Sequence, residues 1–255
     1  MKSVNYYAIF TIIKFKIKDF LKDYHYSILA PLINNLLFVI IFSTIDHYYS
    51  INMSGKPFIE FLIPGLILIV AAQESFDNSS ATLVHMKLVG SLNDFLSAPI
   101  SRIEIFISLL LSSLIHGLFL GIANLLILSF FIEFEIIRLI FFLFYLSITI
   151  IFFSSIGCIT GFISYNWDTQ SVISSFFVTP INFLSGTFFS IEVLPDNLKY
   201  IFLYNPYYYV IDSFRSTFYL NFKLDLIINL YILLFILFII LITSLIFTKG
   251  YRVIK

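Results

Sequence analysis

The feature that most constrains this chain is a succession of charge-poor apolar runs at 27–45, 58–76, 103–131, 138–163, 171–189 and 226–247. An α-helix needs roughly 20 apolar residues to cross a bilayer, and each run is near that length. Hydrophobic residues make up 60% of the chain and charged residues 12%, against about 25% charged in soluble domains. The expectation is an all-α membrane protein, one domain over 1–255 with six transmembrane helices. Run 58–76 is the least regular, with Glu60 and Pro64 near its start and Gln73, Glu74 and Asp77 near its end. Run 103–131 exceeds what a bilayer requires at about 1.5 Å per residue, which predicts tilt or an extension beyond the membrane.

Ahead of these runs, 6–23 reads as an interfacial helix rather than a cleaved leader, because lysines interleave its apolar residues and no small-residue cleavage site follows. At 100° per residue Lys14, Lys18 and Lys22 form one stripe. Ile9, Phe10, Ile12, Ile13, Ile17, Phe20 and Leu21 fill the opposite arc, with Lys16 left to snorkel. Such a helix lies in the headgroup plane.

Basic residues orient the spans, since cytoplasmic loops retain positive charge. With the N-terminus inside, Lys2, Lys14, Lys16, Lys18, Lys22, Lys87, Arg102, Lys249, Arg252 and Lys255 fall inside, and Lys56, Arg138, Lys199, Arg215 and Lys223 outside. Both termini are therefore predicted cytoplasmic. The loop 83–102 is then internal, and reads as a short helix, a break at Gly90, a second helix and Pro99. Leu88, Leu92, Phe95 and Leu96 share one face of it. An exposed apolar ridge there would dock a partner protein, while a buried one would pack on the chain's own helices; both readings stand.

The stretch 176–215 is too broken by Pro180, Gly186, Pro195 and Pro206 to be one helix and too apolar to be a soluble loop. Non-helical backbone at membrane depth survives only where protein or a water-filled cavity satisfies it, so this stretch is expected at the outer end of a transport route. Its tyrosines, Tyr200 to Tyr209, fit an interfacial belt, with a lid over an amphipathic substrate as the second reading.

Ser113, Gly117 and Gly121, and Gly157 and Gly161, recur every four residues and predict close helix packing, in a bundle or a dimer. His116 is the clearest ionisable residue within a span, with Asn124 two turns on. The pair would line a polar route, or His116 would cap a neighbouring helix's carbonyl. No span is expected to hold a central Asp, Glu, Lys or Arg, which speaks against an ion-driven transporter. There is no G-x-x-x-x-G-K-[ST] phosphate loop, no HExxH and no clustering of His25, His47, His85 and His116. The single Cys158 leaves no disulfide and no cysteine metal site. A formal net charge of zero gives no nucleic-acid signature. No metal, bound cofactor or catalytic site is expected in this chain.

Three stretches, FLIPGLILIVAAQESF (61–76), SLNDFLSAPISRIEIF (91–106) and TPINFLSGTFFSIEVLPDNLKYIFLYNPYYYVIDSFR (179–215), resemble the permease subunits of ABC type-2 transporters, especially the bacterial multidrug and lipo-oligosaccharide exporter group. The resemblance covers nearly the whole chain. It implies half of a dimeric pore, formed with a second copy or a close paralogue, in the bacterial inner membrane. It also implies a separate ATPase subunit in two copies, using ATP and Mg, docked on a coupling element that includes Leu88, Leu92, Asn93, Phe95 and Leu96. An outer re-entrant hairpin over 191–215 would close the exit, with Gly186, Pro195, Asn205, Pro206 and Arg215 as gate residues. Relatives often carry Arg-Gly in the third span, where this chain has His116-Gly117. Alternatives from other classes are a non-transporting scaffold membrane protein and an ion-driven secondary transporter.

Overall fold

The computed structural model describes residues 5–49, 52–53, 55–131, 138–218 and 226–249, and the side chains of Leu96, Leu226 and Lys249 lie outside that description. Lys2, Lys223, Arg252 and Lys255, used above to orient the spans, also lie outside the described residues.

The chain enters through α1 (Tyr6–Lys22), started by the Asn5 side chain, which accepts from the Ala8 amide. Lys14, Lys18 and Lys22 are exposed, and Ile9 and Ile12 are buried against the bundle. Phe10 and Leu21 of the expected apolar arc stay exposed. Lys16 does not snorkel: its Nζ turns inward and donates to Thr82 Oγ1 at 2.9 Å, and burial lowers its pKa from the ordinary lysine value, with Asp19 acting in the opposite direction.

A π-turn (His25–Leu29) leads into α2 (Ala30–Tyr49). After a two-residue antiparallel pairing of β1 (Asn52–Met53) with β2 (Lys56–Pro57) comes α3 (Phe58–Leu88). Glycine at Gly90, with φ +79°, then turns the chain into the short α4 (Ser91–Ser97). α5 (Arg102–Leu128) opens on a capping box between Ser101 and Glu104. α6 (Leu139–Ile163) follows. Next come α7 (Trp167–Ile173), a second π-turn (Ser174–Val178) and α8 (Thr179–Phe183). A 3₁₀ turn (Ile191–Val193) precedes the hairpin of α9 (Asp196–Leu203) and α10 (Pro206–Ser216), and α11 (Leu226–Lys249) closes the described chain.

Among the described residues, five helices are long and apolar enough to cross a membrane: His25–Tyr49, Phe58–Leu88, Arg102–Leu128, Leu139–Ile163 and Ile227–Thr248. The run expected at 171–189 differs. It is helical from 167 to 183 with a π-turn inside, and it leaves the helix after Leu184. Pro180 explains the π-turn, because proline offers no amide to the preceding turn and the ladder re-registers ahead of it. The same device precedes Pro31 in α2.

The run expected to end at Phe76 instead continues to Leu88 as one 31-residue helix. At 1.5 Å per residue α3 is about 46 Å long, well beyond a hydrocarbon core of about 30 Å. Gln73, Glu74 and Asp77 look like the end of a span in sequence, yet Gln73 and Asp77 find partners in Ser174 and Gln170, so the helix has no reason to stop there. Glu74 and Asp77 therefore sit well inside a candidate span, a correction to the expectation of charge-free spans.

α3 is the axis of the fold and packs on α6, α5, α2 and α10. A Cβ on Gly157 would lie 2.5 Å from the Phe76 carbonyl oxygen, and one on Gly161 2.7 Å from that of Ser80. Only glycine lets the two backbones meet so closely. Ser79 Oγ lies 2.7 Å from Ser113 Oγ and 2.6 Å from Ser154 Oγ, tying α3, α5 and α6 together at one level. Gly117 and Gly121 face Ile150 and Leu146 of α6. All five small positions singled out in sequence thus lie at contacts within this chain.

Candidate functional site

Opposite that packed side, α2, α3 and α8 enclose a cavity of about 260 Å³. Its walls are Pro31, Asn34, Asn35 and Phe38 from α2, Leu66, Ile69, Val70, Gln73 and Glu74 from α3, and Thr179, Asn182, Phe183 and Phe188 from the broken helix and its exit. The two proline-and-π-turn irregularities flank it. Each interrupts regular i→i−4 bonding in a helix that lines the cavity, and such interruptions recur where helices must bend or serve a ligand.

The polar groups here form a connected set. Gln73 Nε2 donates to Asp77 Oδ2 at 2.8 Å and to Ser174 Oγ at 3.0 Å. Gln170 Nε2 donates to Asp77 Oδ1 and to Ser80 Oγ, both at 3.0 Å. Asn35 Nδ2 reaches the Leu66 carbonyl at 3.4 Å. Asn182 is 4% exposed, and its side-chain oxygen has no hydrogen-bond partner among the described residues. Sequence reasoning found none of these as site residues. The signal was present in the Gln73, Glu74 and Asp77 group, but it was read as the end of a span.

At one end of α3, α10 packs on the bundle. Arg215 is buried, with Nε donating to the Phe61 carbonyl at 3.1 Å and Nη2 to the Gly186 carbonyl at 3.0 Å. Its guanidinium lies 3.7 Å from the centre of the Phe61 ring. Asn205 Nδ2 donates to the carbonyls of Ile181 and Leu184, each at 2.9 Å, and its oxygen accepts from the Tyr207 amide at 3.0 Å. These side chains satisfy carbonyls left open where the broken helix stops. Pro195 precedes α9, and Pro206 occupies the first turn of α10, where a missing amide costs nothing. Gly186, Asn205 and Arg215 thus converge, while Pro195 and Pro206 shape the two helices.

A second hollow of about 390 Å³ lies beside this lock and includes Lys56, Glu192, Tyr208, Asp212 and Arg215 among its walls. Burial raises the Asp212 pKa above the ordinary carboxylate value, against the opposing charge of Arg215.

At the other end, Leu88 is 51% exposed and Asn93 is exposed, whereas Leu92 is buried and Phe95 is half-buried against Leu83, Ile105 and Phe106 and their neighbours. The apolar face is therefore split: part packs on the chain's own helices, and Leu88, Val89 and Asn93 face outward. The Leu96 side chain lies outside the described residues. His116 Nε2 is 3.4 Å from the Ser27 carbonyl and its ring is 4.0 Å from Phe20, so it joins α5 to α1 and to the start of the first span. Asn124 is fully buried, and its side-chain amide has no hydrogen-bond partner among the described residues.

Long apolar helices thus surround an irregular cavity beside a broken helix. Residues 7–219 match the ABC-2 type transporter family, and the chain belongs to it. It is similar to the inner membrane transport permease YadH of Escherichia coli K12, with 27% identity over 203 residues that cover 80% of this chain and 79% of that protein. The proteins of the same name from Escherichia coli O157:H7 and Shigella flexneri match with the same identity and coverage.

Proposed function

We propose that this chain is the permease subunit of an ATP-driven exporter in the bacterial inner membrane, moving an amphipathic or lipid-like substrate outward by alternating access. The observation that carries this reading is the continuity of α3. One unbroken helix touches the sealing hairpin through the Phe61 carbonyl, lines the cavity through Gln73 and Glu74, and ends at the exposed Leu88 beside α4. A push at the α4 end therefore reaches cavity and seal through a single rod.

In this reading two copies of the permease, or this chain and a paralogue, pair across a pore, and two ATPase subunits dock on Leu88, Val89 and Asn93. The broken helix at 167–183 acts as the fifth of six spans, both termini are cytoplasmic, and the hairpin is the outer gate. ATP-driven closure of the ATPases would rock α3 against the broken helix and loosen the Arg215 and Asn205 contacts, and hydrolysis would reset them. The chain itself holds no nucleotide motif.

Co-purification with the ATPase tests this directly. Leu88→Asp with Val89→Asp should abolish ATPase association and transport while leaving the permease monodisperse in detergent. Undiminished association and transport in that variant would remove the coupling claim, and a permease that exports without any ATPase would favour an ion-driven transporter.

A further inference from the structure

The acceptors in the cavity point to the chemistry of its occupant, if the cavity is the substrate route argued above. Glu74 lines it without an ion-pair partner among the described residues. Asn182 lines the same cavity from the opposite helix, 4% exposed, with an oxygen that receives no donor. Of the neighbouring amides, Gln73 gives its two N–H groups to Asp77 and Ser174, and Asn35 gives one to the Leu66 carbonyl. Asn34 stands exposed at the mouth. The interior thus presents a carboxyl group with no ion-pair partner and an amide oxygen with no donor among the described residues.

A carboxyl group inside a membrane gives up its proton only where a counter-charge is at hand, and a buried acceptor without a donor is costly without a ligand or water. Both deficits are met by one group, a primary ammonium, which carries a positive charge and three N–H donors. The remaining wall is hydrocarbon, from Phe38, Leu66, Ile69, Val70 and Phe183. The volume equals that of about eight or nine waters at roughly 30 Å³ each, enough for the head and the first carbons of a chain. We propose that the cavity binds hydrophobic primary amines, with the ammonium against Glu74, one N–H given to Asn182 Oδ1, and the tail leaving along the apolar wall.

The test is equilibrium binding to the full-length permease in phosphatidylcholine nanodiscs at neutral pH, with partition into protein-free discs subtracted. The probes are radiolabelled dodecylamine, dodecyltrimethylammonium and dodecanol. The wild type should bind dodecylamine saturably and about tenfold or more tighter than dodecanol, the range expected for one charge-assisted hydrogen bond. Glu74→Gln should weaken both cations by about tenfold and leave dodecanol unchanged, which also reports an intact cavity. Asn182→Leu should weaken dodecylamine by several-fold, about the value of one hydrogen bond, but not dodecyltrimethylammonium, which has no N–H to give.

If Glu74→Gln binds dodecylamine as the wild type does, or the wild type does not distinguish it from dodecanol, the amine assignment fails and the cavity stands. If no probe binds the wild type saturably, the cavity fails as a binding site and the assignment with it. Should Glu74→Gln not fold, Asn182→Leu still decides: equal loss for both cations, or none for either, overturns the proposal.

Discussion

On the side of α3 turned to α5 and α6, glycines bring backbones into contact and Ser79, Ser113 and Ser154 interlink three helices through mutually satisfied hydroxyls. On the side turned to α2 and α8 the same helix meets proline-broken neighbours, a cavity of about 260 Å³ and the unpartnered oxygen of Asn182. Close packing resists small deformations, whereas a void and an irregular helix leave room for movement. One helix thus carries a fixed seam and a working face, and substitutions on the two faces should separate stability from transport.

The largest effect is expected at the seam. A side chain at Gly157 must displace the Phe76 backbone rather than a flexible side-chain end. Gly157→Leu should therefore cost at least about 3 kcal/mol, the upper part of the overpacking range, and lower the recovery of folded permease in size-exclusion chromatography. On the working face, Asn182→Leu replaces an unsatisfied amide with an apolar group of similar size. It should leave thermal stability equal or slightly higher while transport falls. Equal loss of stability from both variants would erase the distinction between the faces.

The hairpin lock comes next. Arg215→Met keeps much of the apolar stem over Phe61 but removes both donors to the Phe61 and Gly186 carbonyls. A loss of about 2–4 kcal/mol is expected, most of it confined to the hairpin and the loop before it. Hydrogen exchange should then rise across 184–190 and 206–216 and stay unchanged along α6. Uniform exchange across the bundle would mean that the lock is part of the seam instead.

The α4 end repeats the contrast on a smaller scale. Leu92→Ala empties a buried position and should cost about 2–3 kcal/mol, whereas Leu88→Ala, half exposed, should cost under about 0.5 kcal/mol and weaken only ATPase association. Thermal melts and pull-down on the same samples separate the two.

Much of this layout is legible in the sequence because it rests on local rules. Apolar run length placed 27–45, 103–131, 138–163 and 226–247 within a few residues of long apolar helices but stopped 58–76 short of Leu88 and took the broken 171–189 for a whole span. The four-residue spacing of Gly157 and Gly161 marked a seam without saying which helix it meets. Gly90 and Pro206 marked breaks that need no tertiary knowledge. Asp77 was misread because its cost inside a membrane is offset by Gln73 and Gln170, and Gln170 comes from a segment 93 residues away from Asp77; Glu74 was misread with it because the helix that carries both continues to Leu88. Asn182 was missed for the same reason, since a lone asparagine in an apolar run says nothing until its lack of a partner is seen. The split of the α4 face likewise depends on where Leu83 and Ile105 lie in space.

Lys16 gives the smallest test, at the rim between seam and surface. It donates to Thr82 on α3, and burial lowers its pKa from the ordinary lysine value of 10.5. A lysine whose pKa is lower in the folded state binds its proton less readily there than in the unfolded chain. Its charge therefore disfavours folding at pH below the folded-state value, and that cost disappears as pH rises through this value toward 10.5. Lys16→Met removes the ionisation and keeps the stem. The variant should melt at or slightly above the wild-type temperature at pH 7, by an amount worth under about 1 kcal/mol, and the gap should close by pH 10. A gap that widens with pH would mean that Lys16 is held as a stabilising cation, and that α1 belongs to the fixed seam through its charge rather than through Ile9 and Ile12.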